Sequence, residues 1–165
     1  MKTTAPLRLD IYFFDSLSIK VNPKGSLNYH LTEEQLVIDA EYSLNMEDPT
    51  KHKVILTVKN RPEDPSATYL FSATVIGIFT VSDPADQNSL PHVVVTGSSM
   101  LFGGIREMLL NMTGRGPFPT LILPTVSSRI FIELFEEQTK NQTAVPDFPK
   151  SGTVQKPRKN RKKGS

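Results

Sequence analysis

Three scattered histidines, two Glu-Glu pairs and a Gly-Ser-Ser run are the groups most open to a catalytic or metal-binding reading. His30, His52 and His92 lack the spacing that lets imidazoles share a metal ion. Gly97-Ser98-Ser99 does not have the pattern of a nucleophile elbow. Glu33-Glu34 and Glu136-Glu137 are adjacent pairs, which read as solvated faces rather than an acid/base couple. There is no cysteine, which excludes a thiolate zinc site, a cysteine nucleophile and a disulfide framework. No phosphate-binding Gly-rich loop with its lysine occurs. No catalytic residue, metal or cofactor is assigned, and the chain is not expected to be an enzyme.

What the chain holds in surplus is apolar side chains. Leu27, Tyr29 and Leu31 lie in a polar loop, where they either clamp the loop down or meet a ligand. Ile130, Phe131, Ile132, Leu134 and Phe135 exceed what one buried helical stripe requires. Two or three of them belong in a core, and the rest are expected to line a groove. The chemistry available is non-covalent capture of apolar surface.

Four segments with period-two alternation are expected to position these residues as strands. In the first, Leu9, Ile11, Phe13, Leu17, Ile19 and Val21 share a face, and Asp15 interrupts it, as at an edge or bulge. In the second, Leu36, Ile38, Ala40, Tyr42, Leu44 and Met46 alternate with mostly polar residues. Val54, Leu56 and Val58 mark the third, and Tyr69, Phe71, Ala73, Val75, Phe79 and Val81 the fourth. The turns at Glu47-Asp48-Pro49-Thr50 and Arg61 to Pro65 are too short for a helical crossover, so the sheet is antiparallel. The connection from Asn22 to Gln35 is longer, a length often functional or used to cover an edge. Met100 to Thr113 reads as a helix with Leu101, Ile105, Met108 and Met112 on one stripe, stopped at Gly114. Pro117, Pro119 and Pro124 keep the next segment extended. Ser127 or Ser128 caps a last short helix through Gln138.

Charge divides the chain. Lys156 to Ser165 carries six basic residues and no acid, so the overall +2 hides a body of net charge −4. Residues 141–165 are expected to form a disordered basic tail, and residues 1–140 one folded domain. No aromatic is interleaved with the basic residues, so nucleic acid is not expected as a specific partner. The N-terminus lacks the apolar run of a signal peptide, and no stretch approaches the ~18–20 apolar residues that span a bilayer. A soluble cytoplasmic protein without membrane partners is expected.

Two segments carry a resemblance. Leu101-Phe102-Gly103-Gly104-Ile105-Arg106-Glu107, followed by Arg115-Gly116-Pro117-Phe118-Pro119, is similar to the Leu-Phe-Pro-Tyr-Ala-Arg-Glu and Arg-Gly-x-Phe-Pro segments of the SecB family of protein-export chaperones. Leu70 with Gly77-Ile78-Phe79 is similar to the end of that family's fourth strand. The likeness covers roughly Leu9 to Gln138. It implies a SecB-like α+β fold: a four-stranded antiparallel sheet, then a long helix and a short C-terminal helix. It also implies protomers that pair and then join through the long helices as a dimer of dimers. Leu101, Ile105, Met108 and Met112 are assigned to packing that includes this interface. Unfolded polypeptide would then bind in apolar grooves made by the long loop, the sheet and the last helix. Leu27, Tyr29, Leu31, Ile130, Phe131, Leu134 and Phe135 are the client-binding candidates, working without ATP. Two departures count against docking to the SecA motor: Ser72 replaces an acidic position, and the tail is basic. The alternative partner is an antitoxin segment, since some SecB-like proteins are dedicated chaperones of toxin–antitoxin systems, including ones of phage-defence type. Gly103 and Gly104 replace Pro-Tyr, for which a close approach between helices is the expected compensation.

Overall fold

Asp15 breaks the alternation of the first strand, and the chain bulges there as the sequence suggests. The computed structural model describes residues 6–61 and 63–143. In it, β1 (Leu7–Val21) pairs antiparallel with β4 (Tyr69–Val81), with register shifts between Phe14 and Ser16 and also between Leu9 and Ile11. The extra residue at each shift, Asp15 or Asp10, turns the side chains that follow to the other face. Leu9 lies across from Phe79 on the core side, whereas Ile11 and Phe13 lie across from Ile78 and Ile76 on the outer side. Phe14 and Leu17 then return to the core. Ile11 and Phe13 therefore do not share a face with Leu9, as alternation alone suggests. The Asp10 bulge is silent in the sequence because period two runs straight through it. Lys51 Nζ, the Thr80 hydroxyl and Arg8 Nε all donate to the Asp10 carboxylate, with Lys51 and Arg8 each at 2.7 Å. These bonds, Lys51's foremost, hold its pKa well below the usual carboxylate range.

β2 (Leu36–Leu44) and β3 (Lys51–Asn60) complete one antiparallel sheet of order β1-β4-β3-β2. The tight turns make β2, β3 and β4 sequential neighbours, and the long 22–35 connection carries the chain from β1 at one edge to β2 at the other. The expected alternation holds in these three strands except at the end of the second, where Leu44 is exposed and Met46 lies beyond β2, 90% exposed, because among the described residues no element covers that end. Ile38, Tyr42, Val54, Leu56, Val58, Tyr69, Phe71, Val75 and Phe79 are all buried on one face.

That face is covered by α1, a continuous helix from Ser89 to Thr113. It begins eleven residues before the expected Met100, and its first part contains a π-helical turn, His92–Gly97. Val93-Val94-Val95 and Pro91 argue locally against a helix. Burial of Val93 and Val94 in the core overrides that propensity. Leu101, Phe102, Ile105 and Leu109 follow them into the core. Gly77 lets the helix seat directly on β4, because a Cβ there would stand 2.7 Å from Leu101 Cδ2. By length and composition α1 passes for a membrane span, with mean hydropathy 1.3. Its apolar stripe is instead packed against the sheet.

α2 (Arg129–Thr143) starts where the Ser127 hydroxyl accepts the Arg129 N–H at 3.3 Å, and runs past Gln138. Phe131 is sealed in the core, and Phe135 meets Tyr42 edge to face with ring centroids 5.5 Å apart. Gln138 is bonded to the edge strand twice: Tyr42 N donates to Oε1 and Nε2 donates to Tyr42 O, each at 2.9 Å. The side-chain amide takes the place of one rung of a neighbouring strand. Residues 144–165, which include nearly all of the expected tail, lie outside the described residues.

Candidate functional site

The 22–35 loop is long but firmly tied. Asn22 N and Ser26 N donate to Thr68 O and Ser66 O, both at 2.9 Å, and Asn22 Nδ2 donates to Ala67 O at 2.8 Å. At the far end Thr32 and Gln35 form a capping box, and Gln35 Nε2 donates to Asp64 at 2.7 Å. Both ends are thus anchored on the β3–β4 turn. Between the anchors, Leu31 is closed into the core, Tyr29 is half-buried, and Leu27 is 66% exposed. Leu31 clamps the loop, as one of the two expectations has it, and Leu27 points into solvent. The Tyr29 hydroxyl is buried beside the Asp64 carboxylate without a well-formed hydrogen bond. Burial first, and that negative charge second, push its pKa above the ordinary tyrosine value.

Facing the loop is the extended link after α1. Its Arg115-Gly116-Pro117-Phe118-Pro119 motif wraps the buried Tyr69. The Tyr69 hydroxyl donates to Phe118 O at 3.2 Å and accepts from Phe118 N at 3.3 Å, and the two rings stack edge to face. At position 116 only glycine fits, since a Cβ would come within 2.2 Å of that hydroxyl. Thr113 Oγ1 then receives the Leu121 N–H at 2.9 Å and starts an extended run. Along it Leu121 and Leu123 turn inward and Ile122 turns out, 55% exposed.

Loop and link enclose a groove of about 520 Å³ whose apolar walls include Leu27, Tyr29, Leu121, Ile122 and Leu123, with Arg106 of α1 beside them. Because both walls are fixed by hydrogen bonds, the cleft exists before anything enters it, which lowers the ordering cost of binding. A second groove, of about 510 Å³, lies on the other side of the molecule's β2 edge. Its walls include Phe135 of α2, Tyr42 and Leu44 of β2, and Leu90 and Val93 of α1. His52 lines it too, and burial pushes its pKa down.

The structure brings Leu27, Tyr29 and Leu31 together with a segment that the sequence reading left out, Leu121-Ile122-Leu123. The signal for it was present: an apolar triplet kept extended by flanking prolines. It places the last-helix candidates elsewhere. Phe131 is core; Ile130, Leu134 and Phe135 are half-buried; Ile132 is exposed; and Phe135 alone of these lines the second groove. On α1, Leu101 and Ile105 point into the protomer's own core, Met108 is half-buried, and Met112 is exposed. Gly104 lies under the Tyr12 ring, 3.3 Å from a would-be Cβ, while among the described residues a Cβ on Gly103 would meet nothing within 4 Å.

Residues 6–142 match the family profile described as preprotein translocase subunit SecB. The chain belongs to the SecB family. Curated SecB relatives include the protein-export protein SecB of Jannaschia sp., 26% identical over 70% of this chain and 63% of that protein. The protein-export protein SecB of Nitrobacter hamburgensis is 24% identical over 78% of this chain and 79% of its own length. This SecB-family chain thus spans less than two thirds of the Jannaschia protein. Among solved structures, a SecB-like chaperone of Mycobacterium tuberculosis in complex with an antitoxin peptide is similar to it. That likeness has a TM-score of 0.46 and 18% identity, and covers 74% of this chain and 91% of that one.

Proposed function

We propose that this SecB-family protein is an ATP-independent holdase that captures unfolded polypeptide in its preformed apolar grooves. The observation that carries the proposal is the first groove, where Leu27 and Ile122 stay exposed on two walls that are otherwise locked by hydrogen bonds. An apolar side chain seated there gains ~1.5–3 kcal/mol without any demand on its sequence. Several such grooves on a homo-oligomer would add avidity through effective concentration. The test is aggregation of a chemically denatured protein on dilution, without nucleotide. Suppression at stoichiometric amounts is expected, and no suppression at excess overturns the reading.

The partner beyond the client is argued from the sheet's outer face. Leu70 and Ser72 share a shallow pocket there with Lys20 and Lys59. Among the described residues neither lysine has an ion-pair partner. A patch of this sign supports a chaperone that does not dock SecA through acidic residues. It favours the dedicated reading, in which the client is an antitoxin held in a toxin–antitoxin system. Titration with SecA is expected to show no saturable binding; submicromolar binding would restore the export reading.

A further inference from the structure

Arg106 brings a full positive charge to the apolar first groove. It is half-buried on α1 and shares the cleft with Leu27, Tyr29, Ile122 and Leu123. No aspartate or glutamate lines that groove among the described residues. One turn away on the helix stand Phe102, Gly103, Leu109 and Leu110, so no carboxylate occupies the positions three or four residues off where an ion pair forms. Acids of the neighbouring elements are engaged elsewhere. Asp64 accepts from Gln35 Nε2 at 2.7 Å and from Ser66 N at 3.0 Å, and Glu33 accepts from Ser127 N at 3.4 Å. Among the described residues Arg106 has neither a hydrogen-bond nor an ion-pair partner.

A planar fork of five N–H donors is thus held at an apolar cleft, partly withdrawn from water. Such a group gains most from a carboxylate, which takes two parallel N–H bonds from one guanidinium, whereas an ammonium brought to the same place is repelled. The backbone beside it is open as well. Leu121 and Leu123 turn in and Ile122 turns out, and among the described residues the N–H and C=O of Ile122 have no partner. An unpaired strand-like run of that kind accepts a second extended chain alongside, whose side chains then alternate between groove and solvent. Resting on the holdase reading, we infer that Arg106 sets the groove's preference among clients. It selects an extended segment in which apolar residues flank an aspartate or glutamate, seats that carboxylate on its guanidinium, and rejects the same segment carrying lysine.

The test uses the full chain and fluorescein-labelled peptides, read by anisotropy. The first is Gly-Ser-Leu-Phe-Glu-Phe-Leu-Ser-Gly, which places leucine on the glutamate's own face when extended. Two others carry Gln or Lys in place of Glu, and a fourth has the Glu moved to one end. Both Glu peptides have the same net charge, so attraction to the basic run at 156–165 is common to them. The central-Glu peptide is expected to bind about tenfold more tightly than the Gln peptide, with the Lys peptide weakest. Arg106→Gln should erase the gap between Glu and Gln, and Arg106→Glu should reverse the order and place the Lys peptide first. Both replacements are good helix formers, and circular dichroism and melting verify the fold. Equal wild-type binding of the central-Glu and Gln peptides would overturn the inference and leave the holdase reading standing. A Glu preference shared by both isomers, or one that survives Arg106→Gln, would overturn it in the same way. Binding of none of the four would overturn both readings.

Discussion

Gln138 and His52 show how single side chains hold the second groove in shape. Gln138 has both ends of its amide engaged by one residue of an edge strand, at 2.9 Å each. Losing two part-buried hydrogen bonds of that kind costs about 1–2 kcal/mol. Gln138→Ala is therefore expected to lower the unfolding free energy by that amount, read as a lower denaturant midpoint at constant m, and to speed amide exchange at Tyr42. His52 is buried among apolar neighbours, and this burial lowers its pKa below the ordinary imidazole value near 6.5. Its neutral form is thus favoured by the folded state, and the unfolded state binds the extra proton first. The sign follows: stability is full above the unfolded value and is lost as pH falls below it towards the folded pKa. Melting temperature should decline from pH 7 to pH 5, and His52→Gln should flatten that decline. An unchanged slope in the variant would show that other groups carry the acid sensitivity.

At the scale of elements, the contact between α1 and β4 is the firmest joint. Gly77 admits Leu101 so closely that Gly77→Val must push the helix outward, at a cost of about 2 kcal/mol from overpacking. For a chain of this size that corresponds to a drop in Tm of roughly 4–8 °C, read by calorimetry. Gly103, on the same helix, behaves oppositely. Among the described residues nothing touches a Cβ there. Gly103→Ala should stabilise the isolated fold by up to ~1 kcal/mol through helix propensity alone. If long helices from two protomers cross at this point, the close approach expected at Gly103 and Gly104, the same methyl group should weaken the oligomer. Light scattering of Gly103→Ala separates the two effects: an unaltered mass places the helix crossing elsewhere on α1. The Met112 side chain is exposed at the penultimate residue of α1, on the stripe of Leu101 and Ile105 and on the opposite side of the helix from Gly103.

For the whole molecule, the question is whether apolar surface left over after folding does the binding. Leu27 and Ile122 are the two walls' exposed members. Replacing exposed residues usually changes stability by no more than about 0.5 kcal/mol. The double variant Leu27→Ser, Ile122→Ser should therefore melt near the wild-type temperature. Its affinity for an unfolded client should fall tenfold or more, since each lost apolar contact is worth ~1.5 kcal/mol. Fluorescence anisotropy with a labelled unfolded probe measures this directly. Wild-type affinity in the double variant would remove the first groove from the mechanism.

Spacing and composition set the local properties of each segment. Period two placed Val54, Leu56 and Val58 inward, the cluster Ile130 to Phe135 announced more apolar surface than one stripe needs, and Arg115 to Pro119 signalled the link. These are readable because spacing and composition act within a few residues. Which segments meet is settled by contacts between residues far apart in the chain. β1 crosses to the far edge and pairs with β4, so the 22–35 loop lands on the β3–β4 turn and faces Leu121 to Leu123. The last helix, by contrast, docks on β2 and opens a separate groove. The Asp10 bulge, the helical start at Ser89 and the sealing of Leu31 and Phe131 have the same origin. In each case the free energy of burial against distant partners exceeded the local preference, and no window of sequence contains those partners.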